Sequence, residues 1–327
     1  MEYRKLIKFG KNSFIVSLPK QWIEHNKLVK GSLIQVQPNG NQLALLATPS
    51  EASAVLSETN IDLDKVPLNA VKRLICSAYI NNVRVLNITG KSLAQNAAYV
   101  RSIIHNMIAL EIHEQTPSRI IARDYLNMRE ISIESLLRKM DNIVRSMYLD
   151  IIEAAKKGDP ATLKDISEGI TLRDVDVNRL TFLALRAIKY QIANPMMIES
   201  VHTSEDLVHI WESTENLERV ADELKYAAQL LPGVSPSNLP GAASVISQAR
   251  DVYLAAMKAH YTKDVNSAVL VADHRLSLFA AITDVIDVEK SNRSEIRLSE
   301  HLRGLARTIH ALNRMTYQRP HARMDTT

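Results

Sequence analysis

The sequence predicts a multidomain chain: a small β-rich N-terminal segment, a short α/β connector, and then an all-α region made of two tandem three-helix bundles. Three observations carry this. Residues 1–47 alternate short apolar and basic stretches with turn residues. From Ser132 onward, apolar residues recur at alternating steps of four and three, the spacing of one helix face. Arg145-x-x-Tyr148 before Lys157-Gly158-Asp159 returns as Arg250-x-x-Tyr253 before Thr262-Lys263-Asp264, which marks an internal repeat of about 80–100 residues. The domains expected are 1–47, 48–130, 131–233 and 240–318, with a flexible tail over 319–327. Aromatic residues make up only 5% of the chain, so Leu, Ile, Val and Ala must do the packing, as suits helical bundles.

In the first segment, residues 3–9 form a strand with a basic face, and Gly10 opens a turn. A second strand covers 13–18, with Phe14, Val16 and Leu18 on one face. Pro19 suits the start of a short helix over 21–26. Strands at 33–37 and 43–47 flank Pro38-Asn39-Gly40-Asn41, a hairpin signal. Four strands and one helical turn cannot bury enough apolar surface to fold alone, so oligomerisation is expected. Charge singles out the same segment. Seven Lys/Arg against Glu2 and Glu24 give it a net +5, while the whole chain is only +4. Basic strands without an aromatic platform favour duplex phosphates over base stacking.

This segment resembles the swapped-hairpin DNA-binding domain of the AbrB/SpoVT/MazE type. The matching residues are Arg4-Lys5, Phe9-Gly10-Lys11, Ser17-Leu18-Pro19-Lys20, Leu28 and Lys30-Gly31. The resemblance implies a small β-barrel interlaced from two chains, hence a homodimer, that presents basic residues to double-stranded DNA. Arg4, Lys11 and Lys20 are the implied leading contacts. Lys5 and Lys8 add phosphate charge, and Ser13 donates to a phosphate.

In the connector, 68–79 reads as a helix and 83–88 as a buried strand. Ser92-x-x-Gln95 reads as a capping box, followed by a helix face of Leu93, Ala97, Val100, Ile104 and Met107. Residues 109–114 and 119–125 form a hairpin. Gly90-Lys91-Ser92 mimics the tail of a phosphate-binding P-loop, but the required earlier glycine falls on Val85, which excludes that site.

The first bundle has a seam of Ile133, Leu137, Met140, Val144, Met147, Ile151 and Ala154. Asp159-Pro160 is an N-cap followed by proline in the first turn, and Asn194-Pro195 stops the second helix. The third carries Leu207, Ile210, Thr214, Leu217, Ala221, Leu224, Ala228 and Leu231 and ends at Pro232-Gly233. The second bundle repeats this near 241–263, 265–287 and 294–316.

Glu215, Glu218 and Asp222 form a carboxylate stripe beside the third seam, and Arg173 sits on the seam of the second helix next to Asp174. One reading pairs Arg173 with Glu218 or Asp222 across the bundle. The other is a metal site, since carboxylates from facing helices hold divalent ions. Here Arg173-Asp174-Val175-Asp176-Val177-Asn178 and Asn216-Leu217-Glu218-Arg219-Val220-Ala221-Asp222-Glu223 resemble the two signatures of the PhoU family of phosphate-uptake regulators. That resemblance implies tandem three-helix bundles and acidic motifs that hold a divalent or iron-type metal. The ligands carried over are Asp174, Glu218 and Asp222, with Glu215 on the same stripe and Asn178 in place of a second carboxylate. In the second repeat Asp273 and Ser277 answer the first motif, while Arg303 and Arg307 stand for Glu218 and Asp222. Two arginines cannot ligate a cation, so that site is lost or attracts anions.

A single cysteine, Cys76, excludes a disulfide framework, and no apolar run reaches the ~20 residues of a membrane helix. Glu2-Tyr3-Arg4 after Met1 is no secretory signal. Ten unclustered histidines and no nucleophile–base pair argue against an enzyme. Together the resemblances imply an archaeal-type fusion: a dimeric, cytoplasmic transcriptional regulator of phosphate uptake whose bundles relay phosphate status through a metal, an anion, or a transporter or signalling protein. The alternative is an adaptor docking on a phosphate transporter, with DNA binding residual.

Overall fold

The computed structural model describes residues 3–11, 13–39, 42–47, 57–194, 202–285 and 291–318. The expected 319–327 tail, the Gly40-Asn41 turn and Pro195 lie outside them. The chain divides into two compact units, Met1–Val55 and Leu56–Thr327, so the connector and both bundles share one unit.

The first unit holds two antiparallel hairpins and one short helix. β1 (Ile7–Phe9) pairs with β2 (Ser13–Ile15), and β3 (Ile34–Asn39) with β4 (Gln42–Ala47). Between them α1 (Lys20–His25) starts directly after Pro19. The first two strands are shorter than the sequence suggests, and Arg4 and Lys5 precede β1. The register pairs Lys8 with Phe14 and Phe9 with Ser13. Side chains alternate along a strand, so Lys8 and Phe14 share one face, and Ile7, Phe9, Ser13 and Ile15 the other. Among the described residues with a stated exposure, none in this unit is buried. Phe9, Phe14 and Leu33 expose 64%, 62% and 79% of their surface.

The second unit opens with a four-stranded sheet in the order β5-β6-β8-β7. β5 (Glu58–Asp62) runs parallel to β6 (Val85–Thr89), joined by α2 (Leu68–Ile80). Then α3 (Leu93–His105), β7 (Leu110–Thr116) and β8 (Arg119–Asp124) follow. Ile61, Leu86, Ile88, Ile120 and Ala122 bury one face of the sheet against the two helices. The expected capping box at Ser92 is absent. The Ser92 side chain makes no cap, and instead the Asp64 carboxylate accepts from the backbone N–H of Lys91 (2.8 Å) and Ser92 (3.2 Å) and from the Ser92 hydroxyl. An internal carboxylate therefore sits where an anion would sit at that helix end.

Among the described residues six long helices follow: α4 (Ile133–Lys157), α5 (Pro160–Ala193), α6 (Ser204–Leu230), α7 (Leu239–Thr262), α8 (Val265–Val285) and α9 (Arg293–Tyr317). Their starts are set locally. Ser132 and Asp159 accept from backbone N–H groups at the N-caps of α4 and α5, and Thr203-Asp206 and Asn292-Glu295 are reciprocal capping boxes for α6 and α9. The expected seams of α4 and α6 are buried throughout. α4, α5 and α6 pack as one bundle and α7, α8 and α9 as the other, while α4 with α7 and α6 with α9 join the two. One apolar cluster runs through both bundles. At its centre the repeated tyrosines Tyr148 and Tyr253 meet, ring centroids 5.4 Å apart, and the Tyr253 hydroxyl donates to buried Asp141 (2.7 Å).

The sheet is bolted to the first bundle by Arg186, which is wholly buried on α5. Its guanidinium donates to Asp124 at the end of β8 (2.5 Å) and to the Asn82 side chain (3.1 Å), and lies over the Tyr79 ring. Arg84 pairs with the same Asp124 oxygen, Oδ2 (2.5 Å). No helix among the described residues is long and apolar enough to cross a membrane.

Candidate functional site

Charge gathers where α5 faces α6. Asp174 is buried on α5, and Glu218, Asp222 and Lys225 follow one another on α6 at spacings of four and three, which places them on one helix face. The Lys225 ammonium, its side chain 13% exposed, lies 2.9 Å from Asp174 Oδ2 and pairs with Asp222 Oδ1 as well. The Asn178 amide donates to the Asp174 carbonyl (3.0 Å) and to Asp174 Oδ2 (3.2 Å). Asp174 Oδ1 is buried and has no hydrogen-bond partner among the described residues.

Two carboxylates thus share one ammonium, with Glu218 one turn before Asp222. Burial pulls the Lys225 ammonium down, but its hydrogen bonds to Asp222 and Asp174 outweigh this and hold it above its usual range. Burial, helped by the neighbouring Asp222 charge, raises Asp174 despite Lys225. Among the described residues Glu218 forms no ion pair, and the Lys225 and Arg219 charges only partly offset what raises it. Burial first, then the charges of Asp222 and Asp174, push it up to about 7.

Of the five residues proposed as metal ligands, the structure brings Asp174, Asn178, Glu218 and Asp222 together and turns Glu215 away. Glu215 accepts from the Trp211 indole (3.1 Å) and pairs with Arg219 (3.7 Å). Arg173 is not the cation of this group: it pairs with Asp150 of α4 and donates to Ser146 Oγ (3.2 Å). The pairing expected with Glu218 or Asp222 is corrected here, because Arg173 lies on the side of α5 that faces α4. The donor set does not suit a divalent ion. Lys225 Nζ takes the cation's place, and Asn178 presents an N–H, not an oxygen, to Asp174. Among the described residues no three His, Cys, Asp or Glu are arranged to hold a metal.

Lys225 was not singled out by sequence, although Asp222-x-x-Lys225 is an ordinary i,i+3 ion-pair spacing. Lys225 also leads outward. Its ammonium lies 4.6 Å from the Tyr226 ring centroid, Tyr226 stacks on His301 of α9, and His301 Nδ1 lies 2.8 Å from Glu223. A polar chain therefore crosses from α5 through α6 to the second bundle.

The residues expected to meet DNA all lie on the first unit, and all are exposed. Arg4 donates to Ser17 Oγ (3.1 Å), Lys11 sits in the β1–β2 turn after Gly10, and Lys20 opens α1, 3.5 Å from Glu24. Lys5 lies just before β1. Lys8 and Ser13 fall on opposite faces of the hairpin, so one chain's β1–β2 face does not present both to one phosphate.

Residues 137–231, from the second turn of α4 to the end of α6, match the model of the PhoU domain. Among solved structures the chain is similar to PhoU from Pseudomonas aeruginosa, with a TM-score of 0.44 and 16% identity over 57% of this chain and 90% of that one. No curated protein matches the sequence.

Proposed function

We propose that this protein is a dimeric DNA-binding regulator of phosphate uptake, with its N-terminal unit as the DNA arm and its bundles as the regulatory body. The observation that carries the reading is the first unit itself. It concentrates the chain's excess positive charge and has no buried side chain among its described residues of stated exposure, although it exposes Leu6, Ile7, Phe9, Phe14, Val29 and Leu33. An apolar surface of that extent marks an interface. A second copy offers the same exposed strands, and closing the two together leaves Arg4, Lys5, Lys8, Lys11 and Lys20 as the wet basic surface. The PhoU-domain match over the first bundle supports the phosphate-uptake part of the reading. No step in it runs through a metal.

Duplex affinity measured against salt tests the reading. Each phosphate neutralised contributes a log–log slope of roughly −0.9. Lys11→Ala/Lys20→Ala removes up to about four contacts per dimer and flattens the slope by up to about 3.6. A full chain that sediments as a monomer at micromolar concentration, or a slope unchanged by the double variant, rejects it.

A further inference from the structure

The two bundles share one burial register and carry opposite charge on it. Along the third helices, Leu217, Val220, Ala221 and Leu224 of α6 fall on Leu302, Leu305, Ala306 and Ile309 of α9, all buried. Glu218, Asp222 and Lys225 then correspond to Arg303, Arg307 and His310. Along the middle helices, Ile170, Val177 and Thr181 fall on Val271, Leu278 and Ile282. That sets Asp174 against Arg275 and replaces the Asp273 that sequence comparison chose.

α8 and α9 are pinned to each other at two levels. Asn313 Nδ2 donates to the Ala268 carbonyl (2.7 Å), and Arg303 reaches Thr283 Oγ1 (3.4 Å). Arg275 lies midway, level with Arg307 and His310, and its charge, after burial, helps hold His310 below its usual value, as does Arg314. Arg303, Arg307, His310 and Arg314 recur at steps of four, three and four, one stripe of α9.

Among the described residues no anion answers this charge. Arg307 Nε donates to the Arg303 carbonyl (3.2 Å), Arg303 meets only a hydroxyl, and Arg275 lies against Phe279. Among the described residues no carboxylate, Asp273 and Asp284 of α8 included, forms an ion pair with the stripe. His310 Nδ1 is buried without a hydrogen-bond partner among them. The first bundle neutralises its acids with Lys225, whereas no carboxylate among the described residues of the second pairs with Arg275, Arg303 or Arg307.

We infer that the α8–α9 face of the second bundle binds a phosphate-class oxyanion through Arg303 and Arg307, with Arg275 and His310 beside them. Guanidinium forks match phosphate oxygens two at a time, and a tetrahedral anion has enough oxygens to engage donors from both helices, which a carboxylate has not. The inference is independent of DNA binding by the first unit.

The test is calorimetric titration of the full chain with inorganic phosphate and with tripolyphosphate at constant ionic strength. Arg303→Ala/Arg307→Ala is expected to weaken the better of the two by about tenfold or more, and Arg303→Lys/Arg307→Lys to recover part of the loss. Lys11→Ala/Lys20→Ala is expected to leave oxyanion binding unchanged, which separates this site from the DNA arm. Thermal melts confirm that each variant folds. Equal binding by wild type and the Ala pair overturns the proposal, as does a folded wild type that binds neither anion. Duplex affinity that falls in the Ala pair, with no small-anion binding in wild type, assigns the stripe to nucleic acid and overturns a small ligand.

Discussion

The first bundle is acidic and closed on itself; the second is basic and open. Both keep the same apolar seam, yet Asp174, Glu218, Asp222 and Lys225 in one stand where Arg275, Arg303, Arg307 and His310 stand in the other. The difference shows which positions a duplicated bundle holds fixed. Seam residues are locked because each fills space between helices, and a volume change there is felt at once. On the third helices the residues one step past the seam, Glu218 and Asp222 against Arg303 and Arg307, are not fully enclosed, so their charge can invert without disturbing the core.

The largest expected effect breaks a feature that only the first bundle has, its buried bolt to the sheet. Arg186→Met leaves Asp124 with Arg84 alone and should lower stability by about 3–5 kcal/mol in denaturant titration. A loss below about 1 kcal/mol would show the pair to be dispensable.

The next effect removes the internal cation. Lys225→Met leaves Asp174 and Asp222 unpaired at pH 7 and should destabilise by about 2–4 kcal/mol. The loss should shrink as pH falls and Asp174, which burial already raises, takes up a proton. If added Mn or Mg restored the melting temperature of the variant, the trio would be a metal site from which Lys225 excludes the metal. A wild type that already holds stoichiometric metal by elemental analysis refutes the role given to Lys225.

The smallest effect concerns Glu218. Its folded value of about 7 lies above the ordinary 4.5. The folded state therefore holds a proton that the unfolded state has lost, and stability falls as pH rises from about 4.5 through 7. Glu218→Gln removes that fall. Discounted for partial exposure, the gain is about 1–2 kcal/mol at pH 8 and near zero at pH 4.5. A variant no more stable than wild type at pH 8 would place Glu218 in water.

How much of this was legible follows from what each feature depends on. The seams of α4 and α6 were, because a helix face is a spacing within one segment. The strand at Glu58–Asp62 was not: it is a polar edge strand with Ile61 as its one buried side chain, and leaves no alternation to detect. Asp64 caps α3 from 27 residues away from Lys91, beyond any local signature. Arg173 and Asp150 meet only because two helices turn toward each other, which no single-helix pattern encodes. Four of the five acidic-site residues are legible as a group, whereas their counterion is not: Arg173 and Lys225 both have suitable spacing, and only the rotation of α5 against α4 decides that Arg173 meets Asp150 and Lys225 meets the acids.

The core that runs unbroken from α4 to α9, with Tyr148 against Tyr253 at its middle, has a consequence for how this molecule is inherited. Neither repeat is a spare copy: deleting one would strip the other of a shared wall, so the two stand or fall as a single heritable unit. Charges at the rim carry no such bond. Redundancy in the scaffold therefore leaves the rim as the part free to differ.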